Sequence, residues 1–181
     1  PKEAFFEGGF LLGGKDRHPT DCRCQRERKA KEAAENEMRR HRDEVYKLKK
    51  QGFKYPEMRE WTFENALRTP QYDICRDFVE RWPQISRENK GLLMWGDVGT
   101  GKSYLAGCIA NALMEQEVEV YMTNMADVIN CSFEEREALI RKLCNASLLI
   151  LDDLGMERNT SFGKETVFQV IDGRCIRRKP L

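Results

Sequence analysis

Apolar residues are sparse in the first fifty positions and frequent after residue 90, and their spacing changes along the chain. Gly8-Gly9, Gly13-Gly14 and Pro19 interrupt residues 1 to 21, which predict no long element. From 23 to about 51 the period is helical. Ala34, Met38, His41, Val45 and Leu48 form a thin stripe among Lys, Arg and Glu. Such a helix suits either a solvated surface element or a docking helix for a partner protein or nucleic acid. Gln51-Gly52 ends it, and Tyr55-Pro56 opens a linker through Asn65. Thr69-Pro70 then starts a helix reaching about residue 81, with Ile74, Phe78 and Trp82 on its inner face. Trp82-Pro83 is expected to close it.

After Gly91 two periods alternate. Leu92-Leu93-Met94-Trp95, bounded by Gly91 and Gly96, predicts a short buried parallel strand. Residues 102 to 115 follow as a helix, with Leu105, Cys108, Ile109, Ala112 and Leu113 on one face. Val118-Glu119-Val120-Tyr121-Met122 alternates as a half-buried strand, and residues 126 to 130 read as a short helix or turn. Residues 133 to 144 are helical, with Ala138, Leu139, Ile140 and Leu143 apolar. Leu148-Leu149-Ile150-Leu151 is an apolar strand, and residues 163 to 177 form a helix carrying Val167, Phe168, Val170 and Ile171. The alternation predicts an α/β fold, a parallel sheet flanked by helices on both faces. Two parts are expected: residues 1–54, irregular and then a charged helix, and residues 55–181, the α/β domain.

Composition narrows this picture. The chain has 181 residues and a net charge of +1, so it carries no overall charge that would favour nucleic acid. Basic residues are nevertheless in excess between Arg23 and Lys50. No apolar run is long enough to span a membrane, and the start lacks the design of a signal peptide. Beginning with Pro, the sequence reads as an incomplete chain. The seven cysteines are odd in number, and several fall on apolar helix faces. That predicts reduced, buried thiols and a cytoplasmic location rather than a disulfide framework.

The strongest chemical signal is Gly96-Asp97-Val98-Gly99-Thr100-Gly101-Lys102-Ser103, the spacing of a phosphate-binding loop. Glycines permit torsions that turn successive N–H groups toward an anion. Lys102 has the reach for β- and γ-phosphates, the Ser103 hydroxyl can ligate Mg²⁺, and the helix that starts here adds its positive end. A Gly-rich surface turn is the bland alternative, but the apolar run before it and the helix after it supply the required strand, loop and helix.

The second signal is Asp152-Asp153 at the end of the apolar strand. Beside a phosphate loop, Asp152 is placed for the Mg²⁺ held by Ser103, and Asp153 to orient or deprotonate an attacking water. An Asp pair capping a turn is the alternative. Where many P-loop ATPases carry Glu, the shorter Asp153 predicts slow hydrolysis.

Residues 91 to 106 resemble the P-loop region of DnaC-type helicase loaders and IstB-type transposition helper ATPases. Val120-Tyr121-Met122-Thr123, residues 151 to 160, Val170-Ile171-Asp172-Gly173-Arg174, Lys179-Pro180-Leu181 and Thr62-Phe63-Glu64-Asn65 are similar to the same family. The resemblance implies an AAA+ ATPase that binds ATP, Mg²⁺ and single-stranded DNA, associates with itself and serves a replicative helicase. It implies that Gly96, Asp97, Val98, Gly99, Thr100, Gly101, Lys102, Ser103 and Tyr104 hold the nucleotide, with Lys102 and Asp153 catalytic and Ser103 and Asp152 on the metal. It also implies that the segment from Trp61 to Phe63 lies near adenine. Glu157 and Arg158 belong to its signature without an assigned role. In that family the strand after Lys179-Pro180-Leu181 carries a sensor residue, with an arginine finger and a lid beyond. This sequence stops as that strand begins, so a whole hydrolytic site is not expected from these residues alone.

Three other readings stay open. One is a nucleotide-binding adaptor without turnover; another is a P-loop small-molecule kinase, although no arginine-rich lid is evident. The third concerns the N-terminus, where His18-Pro19-Thr20-Asp21-Cys22-Arg23-Cys24 resembles half of a zinc ribbon. Cys22 and Cys24 would be two of four zinc ligands. No cysteine pair precedes them, which favours two inert thiols.

Overall fold

The computed structural model describes residues 2–4, 18–20, 23–154 and 161–181. The chain divides into two compact units, Pro1–Asp43 and Glu44–Leu181. In the first, β1 (Lys2–Ala4) pairs antiparallel with β2 (His18–Thr20). Helix α1 (Arg23–Gly52) begins there and is exposed on nearly every side up to residue 43. Its stability in that stretch rests on i,i+4 pairs such as Arg23–Glu27, Arg28–Glu32 and Arg39–Asp43, each worth about 0.3–0.5 kcal/mol. The expected apolar stripe is therefore only half realised. Met38 is 71% exposed, whereas Val45 and Leu48, in the second unit, are buried.

The second unit carries the larger fold. A 3₁₀ turn (Pro56–Glu60) leads to α2 (Pro70–Glu80) and α3 (Trp82–Glu88). Thr69 caps α2 by accepting from the Tyr72 N–H, and Pro70 sits where its missing N–H costs nothing. Trp82-Pro83 begins α3 instead of ending the helical region. On α2 the buried face is Tyr72, Cys75, Phe78 and Val79, while Ile74 points outward and is 56% exposed, so its expected inner position is corrected.

Helix α4 (Lys102–Met114) is followed by β3 (Val120–Asn124), α5 (Met125–Asn130), α6 (Phe133–Asn145), β4 (Leu148–Asp152) and α7 (Ser161–Arg177). Strands β3 and β4 pair in parallel, Val120 opposite Leu148 through Asn124 opposite Asp152. Their side chains alternate between two apolar clusters. Val120, Met122, Leu148 and Ile150 face a cluster that includes α2, α3 and α4 residues. Tyr121, Leu149 and Leu151 face another built from α5, α6 and α7. The α/β class, with a small parallel sheet between helical layers, is thus as the alternation predicts. Phe53, just after α1, forms a parallel bridge with Met122 at the outer edge of β3.

Two further sequence expectations fail. Residues 92 to 95 are not a strand. Leu92 N–H donates to the Leu181 carbonyl, but no ladder follows, and Leu93 and Trp95 are 80% and 86% exposed. A strand is defined by partners, and an apolar run alone does not provide them. Helix α4, in turn, is buried over Leu105 to Asn111 as well as Leu113 and Met114, not along one face. Helices and chain segments cover it on several sides.

These environments make opposite predictions for two leucines. Leu149→Ala, a wholly buried site, should lower stability by about 3–5 kcal/mol, while Leu93→Ala should change it by under about 0.5 kcal/mol, both read by urea unfolding.

Candidate functional site

The loop before α4 is built as its glycines require. Gly96, Gly99 and Gly101 have φ of 140°, 83° and 83°, values that L side chains rarely adopt. Around Gly99 and Gly101 there is open space, so it is backbone torsion that demands glycine here. Gly101 is the N-cap of α4, and no side chain caps that end. The first N–H groups of the helix are therefore available as donors for an anion.

Lys102 turns back into the loop. Its ammonium donates to the carbonyls of Gly96 (2.9 Å) and Asp97 (2.7 Å) and to Thr100 Oγ1 (3.3 Å). Thr100 in turn donates to the Asp97 carbonyl at 2.9 Å. Asp97 and Val98 lie exposed at the loop tip. Tyr104 sits in the first turn of α4, its ring 5.5 Å from that of Trp61.

The two chemical motifs meet at one hydrogen bond. Ser103 Oγ donates to Asp152 Oδ1 at 2.9 Å, across 49 residues of sequence. Asp152 Oδ1 also accepts from the Asp153 N–H at 3.1 Å. Asp153 is exposed and left-handed, with φ of 52°, a conformation that Asp tolerates better than most residues. A serine that gives its proton to a carboxylate keeps its oxygen lone pairs for another partner. A hydroxyl and a carboxylate side by side are the hard oxygen donors that Mg²⁺ prefers, so this pair fits a divalent cation beside phosphates. A cavity of about 650 Å³ borders Gly96, Lys102, Asp152 and Asp153 and extends along residues 92 to 95 and β4.

Behind the loop, Trp61 packs on α4 where Gly107 has no side chain; a Cβ there would run into the indole. Asn111 secures the approach by donating to the carbonyls of Met58 (2.8 Å), Trp61 (2.9 Å) and Gly107 (3.0 Å). Phe63 is buried edge-on against Tyr72. Sequence reading missed Gly107 and Asn111. The available signal was a glycine and an amide inside an apolar helical run, where neither is a natural choice.

The zinc expectation falls partly outside the described residues, which exclude Cys22; Cys24 is exposed. Among the described residues no cluster of three or more His, Cys, Asp or Glu side chains is arranged for a metal. Glu157 and Arg158 also lie outside the described residues. Among those described, no helix is long and apolar enough to cross a membrane.

Fold and loop together define a partial P-loop α/β domain of AAA+ type. A family model described as IstB-like ATP binding protein matches residues 29–179, and the chain belongs to that family. Individual relatives are more distant. The replicative helicase loader DnaC of Escherichia coli strain K12 is 29% identical over 113 residues, which cover 59% of this chain and 45% of that protein. The replicative helicase loader DnaI of Bacillus subtilis strain 168 is 27% identical over 109 residues, 58% of this chain and 35% of the relative. Uncharacterized protein YdaV of Escherichia coli strain K12 is 34% identical over 85 residues, 44% of this chain and 34% of its own length. The chain thus spans between a third and a half of the relatives it matches.

Burial also sets the reactivity of two thiols in the main core. Desolvation pushes the Cys75 thiol up to about 11 and the Cys108 thiol to about 12. Both stay protonated in the folded chain while the unfolded thiols ionise from about 9. The stability they contribute is present below that value and lost as pH rises through 9 toward 12. Urea midpoints should therefore fall above pH 9, and the fall should shrink in Cys108→Ala measured against its own neutral-pH midpoint. At pH 8 neither thiol should react with a disulfide reagent until the chain unfolds.

Proposed function

We propose that this chain is the ATP- and Mg²⁺-binding part of a helicase-loader ATPase that acts with a replicative helicase on single-stranded DNA. The observation that carries the nucleotide site is the Ser103–Asp152 hydrogen bond, which joins the loop to the acidic end of β4. Support for the loader role comes from the relatives, two of which are named replicative helicase loaders.

In this reading residues 96 to 104 cradle the phosphates. Lys102 exchanges the loop carbonyls for β- and γ-phosphate oxygens. This exchange is favourable because a charged acceptor makes the stronger hydrogen bond. Ser103 and Asp152 would hold Mg²⁺, whose charge would offset that of the phosphates. Asp153 receives a proton from, or orients, the attacking water, and its backbone is held for that purpose by Asp152 Oδ1. Residues 1–54 form the docking part, with the basic excess of α1 turned to helicase or DNA, and residues 55–181 form the nucleotide domain. Self-association and a cytoplasmic location belong to the same reading.

Nucleotide titration tests it. Lys102→Ala should weaken ATP binding about 10- to 100-fold, as expected for losing charge-assisted hydrogen bonds. Equal affinity in the two chains would overturn the site. Single-stranded DNA should raise ATP hydrolysis by the full-length protein, and Asp153→Ala should abolish that rise while ATP still binds. Tight binding with background turnover would favour a non-hydrolysing adaptor. Phosphate transfer to a nucleoside would favour a kinase, and capture of a transposase in place of a helicase would favour a transposition helper.

A further inference from the structure

Arg174 is the largest side chain that is wholly buried among the described residues. It lies on α7, and its partners are backbone carbonyls. Nη1 donates to Leu143 O and to Ala146 O (3.0 Å), and Nη2 donates to Ser147 O (3.4 Å) and Pro180 O. Nε is buried without a hydrogen-bond partner. Burial lowers its pKa to about 10, so it stays charged at neutral pH. A charge in this position is costly, and an aliphatic side chain would fill the space at less expense. The planar fork supplies something an aliphatic chain lacks: it ties the end of α6, the turn into β4 and the segment at 180 to one point.

That segment links the two halves of the site. Leu149 N–H donates to Pro180 O at 3.4 Å, and Leu92 N–H donates to Leu181 O at 3.1 Å. Residues 180 and 181 therefore lie between β4 and the stretch that leads into the loop. Gly91 makes room for them, since a Cβ there would collide with the Leu181 carbonyl. Packing holds the stretch on one side only: Leu92 and Met94 lie against the main core, while Leu93 and Trp95 are exposed.

We infer that Arg174 is a positioning residue for the Ser103–Asp152 pair: by fixing Pro180 against the start of β4, it sets the separation between that strand and the loop. The inference rests on the reading of Ser103 and Asp152 as Mg²⁺ ligands.

Two measurements on the 181-residue chain test it: amide exchange without nucleotide, and Mg²⁺ titration of the ATP complex. In Arg174→Met the Leu92 and Leu149 amides should exchange faster. Its Mg²⁺ affinity should fall about 10- to 100-fold while ATP affinity in EDTA moves less than about twofold. Arg174→Lys should recover part of the Mg²⁺ affinity. Gly91→Ala presses on Leu181 from the opposite side and should give the same pattern, which keeps the test decisive if Arg174→Met does not fold. Unchanged Mg²⁺ affinity in a folded Arg174→Met or in Gly91→Ala would overturn the inference. So would a parallel loss of ATP affinity with and without Mg²⁺, the mark of a purely structural role. ATP binding by the unmodified chain that ignores Mg²⁺ would instead overturn the reading of Ser103 and Asp152.

Discussion

The parallel pairing of Val120–Asn124 with Leu148–Asp152 is the constraint on which the rest depends. Both strands are covered on both faces, so alternate side chains enter different apolar clusters. A slip of one residue would send every one of them to the wrong side. The register is therefore fixed by burial, and with it the position of the last residue, Asp152. Functional precision at the strand end is inherited from the packing of Leu148, Leu149 and Ile150 upstream. This is why the half-buried Asp152 can be well placed at the very end of its strand, with the exposed Asp153 beyond it.

Much of this was legible because it is local. The glycine spacing of residues 96 to 101 reports torsions that only glycine adopts easily, and those torsions are present. The apolar run before Asp152 and the alternation around Val120 specify strands that have partners in the chain. The stretch 92 to 95 misled because its run was equally apolar, yet the described residues offer it one backbone bond, to Leu181. Ile74 misled for a related reason. Helical periodicity shows that a face exists, but Cys75 and Tyr72, not Ile74, point toward α4 and its neighbours. Arg174 was visible only as part of a motif. No sequence rule distinguishes an arginine that binds four backbone carbonyls from one in solvent, because its acceptors come from residues 143 to 147 and 180.

Two buried polar side chains do comparable work on opposite sides of the site. Asn111 joins α4 to the Met58 and Trp61 carbonyls, and Arg174 joins α7 to the carbonyls around β4. Each reaches backbone carbonyls at the ends of elements and in the turns between them, where the regular bonding pattern runs out. Loops that carry function cannot be fixed by secondary structure, and apolar contact alone is not directional. Side-chain donors aimed at carbonyls provide direction at a modest net gain, with a large penalty if they are removed. The two residues thus hold irregular chain against the helix and strand that form the candidate site.

The state of Lys102 bears on how such a site takes a ligand. All three of its ammonium donors have acceptors in the loop, two carbonyls and a hydroxyl. Its charge is thereby tied to the turn while still reached by solvent, and the glycine torsions are already set. Accepting phosphate would require an exchange of neutral oxygens for charged ones at one side chain, with no rebuilding of backbone. The conformational cost that usually accompanies loop ordering is then small, because the ordering is part of the fold. By the same logic the affinity of the loop depends on the elements that hold its two ends. One end is the capless start of α4, which is half-buried from Lys102 to Tyr104 and enters the core at Leu105. The other is the stretch after Gly91, packed on one side through Leu92 and Met94, which makes its contact with the carbonyl of Leu181 the more sensitive of the two anchors.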